Sequence, residues 1–321
     1  MKDYLNYTGD FSDLSRKDLE YLFILLENYK IRYRKNLEIP NNLGFGLEFE
    51  FENVLLYYVK KEMSKTLGFE DWHVYKDKSC SYQIDGFDVG GEVVSPILYD
   101  TLHDWELIGN ILSVLRGLKA DITDNTSFHV HIGAQIFKED IKYVIRFVKV
   151  WSIFEHVIFK FAFGNSGIPR TKILEFAHPI AEEIIHGNDY VLSLDEIRKP
   201  LELSLDKTKA LNLSNYHNLF SDEEVNNDIE IRCANGTLDK NIVQNTVNFY
   251  IKLMLYCVSD KYDEKLINRL FDRLKSKEFK LYQQSYAKDA VMLVDMIFDH
   301  SLDKINFLKQ YIKQGEVVFV R

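Results

Sequence analysis

The sequence predicts an α+β domain, and three observations carry that prediction. Runs with strand-like alternation recur between Leu43 and Asp239, helical apolar spacing is interleaved with them, and only helical spacing follows Asp239. Alternation sends every second side chain of a strand to one face, so the apolar members of each run must pack beneath a sheet while the polar members stand above it. The first helix is expected over about residues 14–35, capped by Ser12 or Asp13, with Leu19, Leu22, Leu25 and Leu26 along one side. Pro40-Asn41-Asn42 then breaks the pattern and sets residues 1–41 apart as an N-terminal helical extension. Strands are expected at 43–52, 72–75, 88–95, 126–134, 210–214 and 228–234, and helices at 101–119, 138–162 and 171–186. Beyond about residue 240 the spacing gives helices at 240–258, 262–277 and 287–313, so residues 42–321 read as one main domain with a helical C-terminal part.

Composition narrows the class of protein. With 321 residues, 46% of them hydrophobic and 28% charged, the chain can bury a sizeable core and is neither disordered nor fibrous. No apolar run approaches the roughly 18 residues of a membrane span, and the N-terminus shows no secretory pattern, so a cytoplasmic protein is expected. Cys80, Cys233 and Cys257 lie far apart, which argues against a disulfide framework or a zinc ribbon and suits a reducing compartment. A net charge of −9 disfavours general adhesion to nucleic acid.

Three segments carry polar residues at alternate positions: Glu48-Phe49-Glu50, His129-Val130-His131 and Glu230-Ile231-Arg232. Residues two apart in a strand share a face about 7 Å apart, so each pair points the same way. Carboxylates offer hard oxygen ligands, a histidine adds a nitrogen, and Arg232 supplies a cation able to grip phosphate, a set suited to Mg²⁺ and a nucleotide. A fourth segment, Gly90-Gly91-Glu92-Val93-Val94-Ser95-Pro96, places one carboxylate after two glycines that permit close approach of a ligand or another backbone. Glu52 continues the first alternation and is read as a solvated residue. His73, His103, His156, His178, His186, His217 and His300 have no partner at metal spacing and are read as surface or packing residues. The chain holds no P-loop, dinucleotide-binding glycine fingerprint or kinase glycine loop, so a nucleotide would have to sit on a sheet-borne platform.

In their order along the chain, Gly46-Leu47-Glu48-Phe49-Glu50, Asp77-Lys78-Ser79, Gly91-Glu92, His129-Val130-His131, Leu211-Asn212-Leu213 and Glu230-Ile231-Arg232 through Asp239 resemble the amidoligase family. That family belongs to the carboxylate–amine ligase superfamily with glutamine synthetase and glutamate–cysteine ligase, and the resemblance spans about residues 43–250. It implies a glutamine synthetase-like catalytic domain with a mostly antiparallel curved sheet and flanking helices. It further implies ATP and Mg²⁺ as cofactors, with Mn²⁺ as a substitute, and a carboxylate and an amine as substrates, drawn from amino acids, peptides or cell-wall peptides.

By position, the resemblance makes Glu48 and Glu50 one ligand each of two metal clusters, Glu92 a further ligand on the substrate side, and His129 and Glu230 ligands on the nucleotide side. Arg232 then lies near the transferred phosphoryl group, and His131, Asn212 and Ser79 near the nucleotide or its pocket. Asp77 and Ser79 fall in a motif associated with the amine acceptor. A second glutamate shortly after Glu92 is missing, and Asp85 or Asp88 is the candidate replacement. The helical C-terminal third is expected to serve a protein partner or a homo-oligomer contact. A metal-dependent hydrolase using the same Glu and His cluster, and a catalytically silent binding module, are the alternatives.

Overall fold

The computed structural model describes residues 2–66, 68–138, 140–164, 173–186, 208–216, 227–274 and 286–313. Their centre is an antiparallel seven-stranded sheet. In chain order its strands are β1 (Phe45–Leu55), β2 (His73–Tyr75), β3 (Tyr82–Ile84), β4 (Phe87–Val94), β5 (Ser127–Gly133), β6 (Leu211–Asn212) and β7 (Asp228–Asn235). Across the sheet they run β2-β4-β1-β5-β7-β6, with β3 folded onto β4 as a hairpin. The helices are α1 (Lys2–Leu5), α2 (Arg16–Glu27), α3 (Leu56–Met63), α4 (Leu102–Gly117), α5 (Ile141–Ala162), α6 (Ile173–Phe176), α7 (Ala181–His186), α8 (Lys240–Val258), α9 (Glu264–Leu274), α10 (Ala287–Ile297) and α11 (Ser301–Tyr311).

The alternation in the sequence explains the layering. Phe45, Leu47, Phe49 and Phe51 of β1 are all buried, as are Phe128, Val130 and Ile132 of β5 and Ile229, Ile231 and Cys233 of β7. Phe49 and Phe128, which are paired across strands, stack with ring centroids 5.1 Å apart. This apolar face and the long helices α5 and α8 share one continuous core. Asp140 and Asp239 start those two helices, their side chains accepting from Lys142 N and Asn241 N at 3.0 and 2.8 Å.

The sheet and its flanking helices form the expected α+β architecture, with several local differences. Helix α2 starts after Ser15, whose hydroxyl caps Asp18 N, and ends at Glu27 rather than Lys35. Residues 28–44 are held instead by side-chain bonds to the C-terminal helices, such as Arg34 N to Gln244 Oε1 at 2.8 Å and the ion pair of Arg34 with Asp303. The expected helix over 171–186 is divided around Pro179 into α6 and α7, since proline cannot donate to a continuing helix; its residues 171–172, like 275–277 of the expected helix 262–277 and His217, lie outside the described residues. The expected helix 287–313 turns at Phe298–His300 and becomes α10 and α11, whose faces pack on each other. Helix α3 and strand β3 were not expected. The signal for β3 was present in Asp85-Gly86, a hairpin turn pair, and both residues have positive φ, 50° and 80°.

The N-terminal segment rests on the C-terminal helices. Asp295 of α10 accepts from Phe11 N at 2.9 Å and Ser12 N at 2.7 Å, and its charge is met by Lys304 at 2.8 Å. A buried carboxylate with this many partners locks the chain entry onto α10 and α11.

The two glycines before Glu92 do admit another backbone. Gly90 has φ +78°, and a Cβ there would stand 2.3 Å from Cys80 O, while one on Gly91 would stand 2.4 Å from Tyr75 O. Strand β4 therefore lies tight against the 75–80 loop. Gly90→Ala combines that clash with a disfavoured backbone conformation and should destabilise the fold by more than about 1 kcal/mol. A urea midpoint equal to wild type would show that the loop yields freely.

Candidate active site

Strand register brings the polar residues together on the face opposite the core. Glu48 of β1 pairs with His129 of β5, and Glu50 pairs with Glu92 of β4. Further along, His131 pairs with Glu230 of β7, which in turn pairs with Asn212 of β6. Arg232, two residues beyond Glu230, shares its face. The face thus draws its groups from five neighbouring strands, while Asp77 and Ser79 lie in the loop after β2.

Hydrogen bonds fix these groups in a chain. Ser127 N donates to Glu50 Oε2 at 2.6 Å, and Ser127 Oγ lies 2.7 Å from His129 Nε2. His129 Nδ1 is 2.8 Å from Glu48 Oε2. A carboxylate only accepts, which assigns the Nδ1 proton to that bond and leaves Nε2 to accept from Ser127 in the neutral ring. His129 Nδ1 also lies 3.6 Å from Glu230 Oε1. Glu230 accepts from Asn212 Nδ2 at 2.7 Å and forms an ion pair with Arg232, whose Nε reaches Phe176 O at 3.5 Å.

His131 is hydrogen-bonded on one side only. Its Nδ1 lies 3.3 Å from Asp228 Oδ1, while Nε2, buried, comes within 3.2 Å of Glu48 Oε1 and 3.9 Å of Glu230 Oε1 without the alignment of a hydrogen bond. Ligand atoms of Glu48, His131 and Glu230 lie within 4.8 Å of one another. An unsatisfied buried nitrogen facing two carboxylates is a donor set that fits a divalent ion, and His129 Nδ1 borders the same two carboxylates.

On this face the carboxylates outnumber the cations. Burial would raise Glu48, but the His129 hydrogen bond and the two imidazoles hold it well below the usual carboxylate range. Burial would lower His131, but the Asp228 bond and the charges of Glu48 and Glu230 push it up to about 10. Glu92 is pushed up to about 8 by burial and then by the charges of Glu48, Asp77 and Glu50, against a lowering pull from Arg232.

Asp77 is therefore one of the three acids whose charge acts on Glu92, after Glu48. Its Oδ1 accepts from Ser79 N at 2.7 Å and from the Ser79 hydroxyl, so Ser79 fixes the orientation of Asp77. Of the candidate replacements for a third carboxylate, Asp85 occupies the tip of the β3-β4 hairpin, and Asp88 pairs with Lys76 at 2.7 Å on the exposed side. The acids whose charges chiefly raise Glu92 are Glu48, Asp77 and Glu50. Glu52 is not a solvated residue, since it accepts from Thr123 Oγ1 at 2.8 Å and Asn125 Nδ2 at 3.2 Å and tethers the loop ahead of β5. The three cysteines are buried and form no disulfide.

Ser127 and Asp228 were missed by sequence reasoning, although both extend alternations already visible, Ser127 ahead of His129-Val130-His131 and Asp228 ahead of Glu230-Ile231-Arg232. Beside Glu48 and His131 opens a cavity of about 410 Å³, walled in part by Pro96, Ile97, Tyr99, Gln135 and Asp228. Its size suits a small organic ligand lying next to the acidic cluster.

Because the folded chain holds Glu92 near 8 against an ordinary 4.5, the neutral acid is the form it favours. The stability linked to this group is full below the ordinary value and is lost as pH rises through about 8. The melting temperature of the metal-free protein should accordingly fall between pH 5 and pH 9 by a component that Glu92→Gln, shaped like the neutral acid, removes. Identical pH profiles for the variant and wild type would contradict the crowding of carboxylates described above.

No curated protein and no solved structure matches the chain significantly. A family model described as putative amidoligase enzyme matches residues 41–254, a stretch that contains every strand of the sheet and every group of the acidic face. The chain belongs to that family.

Proposed function

We propose that the protein is an ATP- and Mg²⁺-dependent ligase that joins a carboxylate to an amine through an acyl phosphate, on a glutamine synthetase-like catalytic domain. The observation that carries this reading is the convergence on one sheet face of Glu48, Glu230 and the unsatisfied Nε2 of His131 with Arg232, beside a cavity large enough for an organic ligand. Family membership supports ligase chemistry. When bound, the divalent ions would neutralise phosphate charge and draw oxygens into line.

The residues divide by position. Glu48, Glu230 and a histidine of the pair would hold the ion on the nucleotide side, and Glu50, Glu92 and Asp77 form a second acidic group on the substrate side. Asn212 orients Glu230 through its 2.7 Å bond. In the first step a carboxylate oxygen attacks the γ-phosphorus, the bond to ADP breaks, and Arg232 stabilises charge on the moving phosphoryl group. In the second step the amine nitrogen attacks the acyl carbon, phosphate leaves, and Asp77, held by Ser79, takes the amine proton. The acid is expected to be an amino acid, peptide or cell-wall peptide.

Glu48→Gln and Glu50→Gln keep shape and remove charge, so Mg²⁺-dependent binding of ATP should weaken and turnover fall by orders of magnitude with the fold intact. Glu52→Gln, outside the cluster, should keep its activity. A screen of acid and amine pairs for ADP release, with the product weighed by mass spectrometry, is the direct test, and full ADP release by both cluster variants would remove these residues from the site.

Arg232→Lys keeps a cation but loses the planar fork, and should lower turnover more than ATP affinity. Asp77→Asn should leave slow ADP release uncoupled from amide formation, because water can hydrolyse the stranded acyl phosphate. Loss of ADP release as well would move Asp77 to the metal or phosphate.

A further inference from the structure

Glu155 stands in the middle of α5, 1% exposed, and takes no part in the chemistry above. Its Oε1 accepts from Trp151 Nε1 at 3.0 Å and Ile180 N at 2.7 Å, and its Oε2 from Ala181 N at 2.9 Å. Burial pushes the Glu155 pKa up to about 7 despite these three donors, so the group is poorly suited to serve stability alone. What it achieves is geometric. Two consecutive backbone amides, just after Pro179, are held at one point against the core.

The segment pinned in this way leads to Arg232. On the side away from Glu155, His178 N donates to Thr208 O at 2.6 Å, and His178 O accepts from Ala210 N at 2.9 Å. Ala210 O then accepts from Arg232 N at 2.9 Å. Two residues before His178, Phe176 O meets Arg232 Nε at 3.5 Å. The same short strap therefore holds both the backbone and the guanidinium side of Arg232. A guanidinium gripped at Nε and paired through Nη1 with Glu230 is confined in rotation about its long stem.

We infer that Glu155 is a positioning residue for Arg232, acting through the 176–181 strap from the far side of the sheet's supporting helix. This inference rests on the proposed role of Arg232 at the transferring phosphoryl group. A fixed cation stabilises a transition state only if it is already aimed, so loosening the strap should reduce turnover while leaving nucleotide affinity nearly unchanged.

The full-length chain is tested with two variants. Glu155→Gln keeps the volume but opposes an amide N–H₂ to a backbone donor, and Ala181→Pro removes one donor at the first position of α7, where proline is tolerated. With ¹⁵N-arginine labelling, the Arg232 Nε–H resonance is identified by its loss in Arg232→Lys, and its exchange with solvent should become about tenfold faster in each folded variant. For the acid and amine pair that releases ADP, kcat should fall about tenfold with KM for ATP within about twofold, and Glu155→Gln combined with Arg232→Lys should be no slower than Arg232→Lys alone.

Unchanged Arg232 exchange in both variants, or losses that multiply in the double variant, would overturn the positioning role. If Glu155→Gln does not fold, Ala181→Pro decides by the same two readings. If wild type releases ADP with no acid and amine pair, the ligase reading fails on its own, and the exchange measurement still decides whether Glu155 holds Arg232.

Discussion

Like charge crowded on one sheet face is the constraint to which the rest of this structure answers. Antiparallel pairing sets Glu48 against His129 and His131 against Glu230, so each carboxylate of the central strands meets an imidazole across the ladder. The exception is Glu50 opposite Glu92. There the fold relieves repulsion by giving Glu50 the Ser127 amide and by favouring the protonated form of Glu92. A shift of the register by one residue would turn all of these groups into the apolar core and expose Phe45, Leu47, Phe49 and Phe51. The hydrophobic face therefore fixes the polar face. Burial of phenylalanines in β1 and β5 is what places the acids and histidines within reach of one another.

Support comes from both ends of the sheet. On the β4 side, Gly90 and Gly91 let the 75–80 loop lie against the strand, which brings Asp77 close enough for its charge to reach Glu92. Side chains larger than hydrogen at these positions would drive the loop away and take Asp77 with it. On the β7 side, the strap around Phe176–Ala181 lies between α5 and Arg232. The core helix thus reaches Arg232 through hydrogen bonds that the strap's backbone makes with the Glu155 carboxylate on one side and the Arg232 guanidinium on the other. The N-terminal segment, fastened to α10 and α11 through Asp295, lies on the helical layer.

The parts legible in the sequence were those with strict periodicity. Strands β1, β4, β5 and β7 declare themselves through alternation, and helices α4, α5 and α8 through apolar spacing, so the polar face could be assembled from residue types alone. Boundaries that depend on tertiary bonds were not legible. The stop of α2 at Glu27 depends on residues 28–44 finding partners such as Gln244 and Asp303, more than 200 positions away, and no local signal marks it. The division at Phe298–His300 is likewise set by the packing of α10 on α11. Asp228 and Ser127 are legible as well, since each extends a polar alternation by one step. Glu155 carried no sequence signal, because a single acid in an apolar helix shows its purpose only when the amides it binds are seen.

The two histidines of β5 illustrate why identical residues two apart need not be equivalent. Both nitrogens of His129 are engaged, by Glu48 and by Ser127, so its ring joins the centre of β1 to the start of β5. His131 is hydrogen-bonded only to Asp228, and its other nitrogen, 3.2 Å from Glu48 Oε1 in an ion pair, faces the opening between Glu48 and Glu230 beside the cavity. A proton on that ring serves as the positive charge in a pocket of three carboxylates. A cation entering between Glu48 and Glu230 would take over that task, and the ring could then release its proton and either coordinate or turn toward the cavity. The proposed metal entry would favour deprotonation of His131 through the same electrostatics that hold its proton. The Asp228 carboxylate, which needs a donor in either state, keeps the ring from swinging free in the exchange.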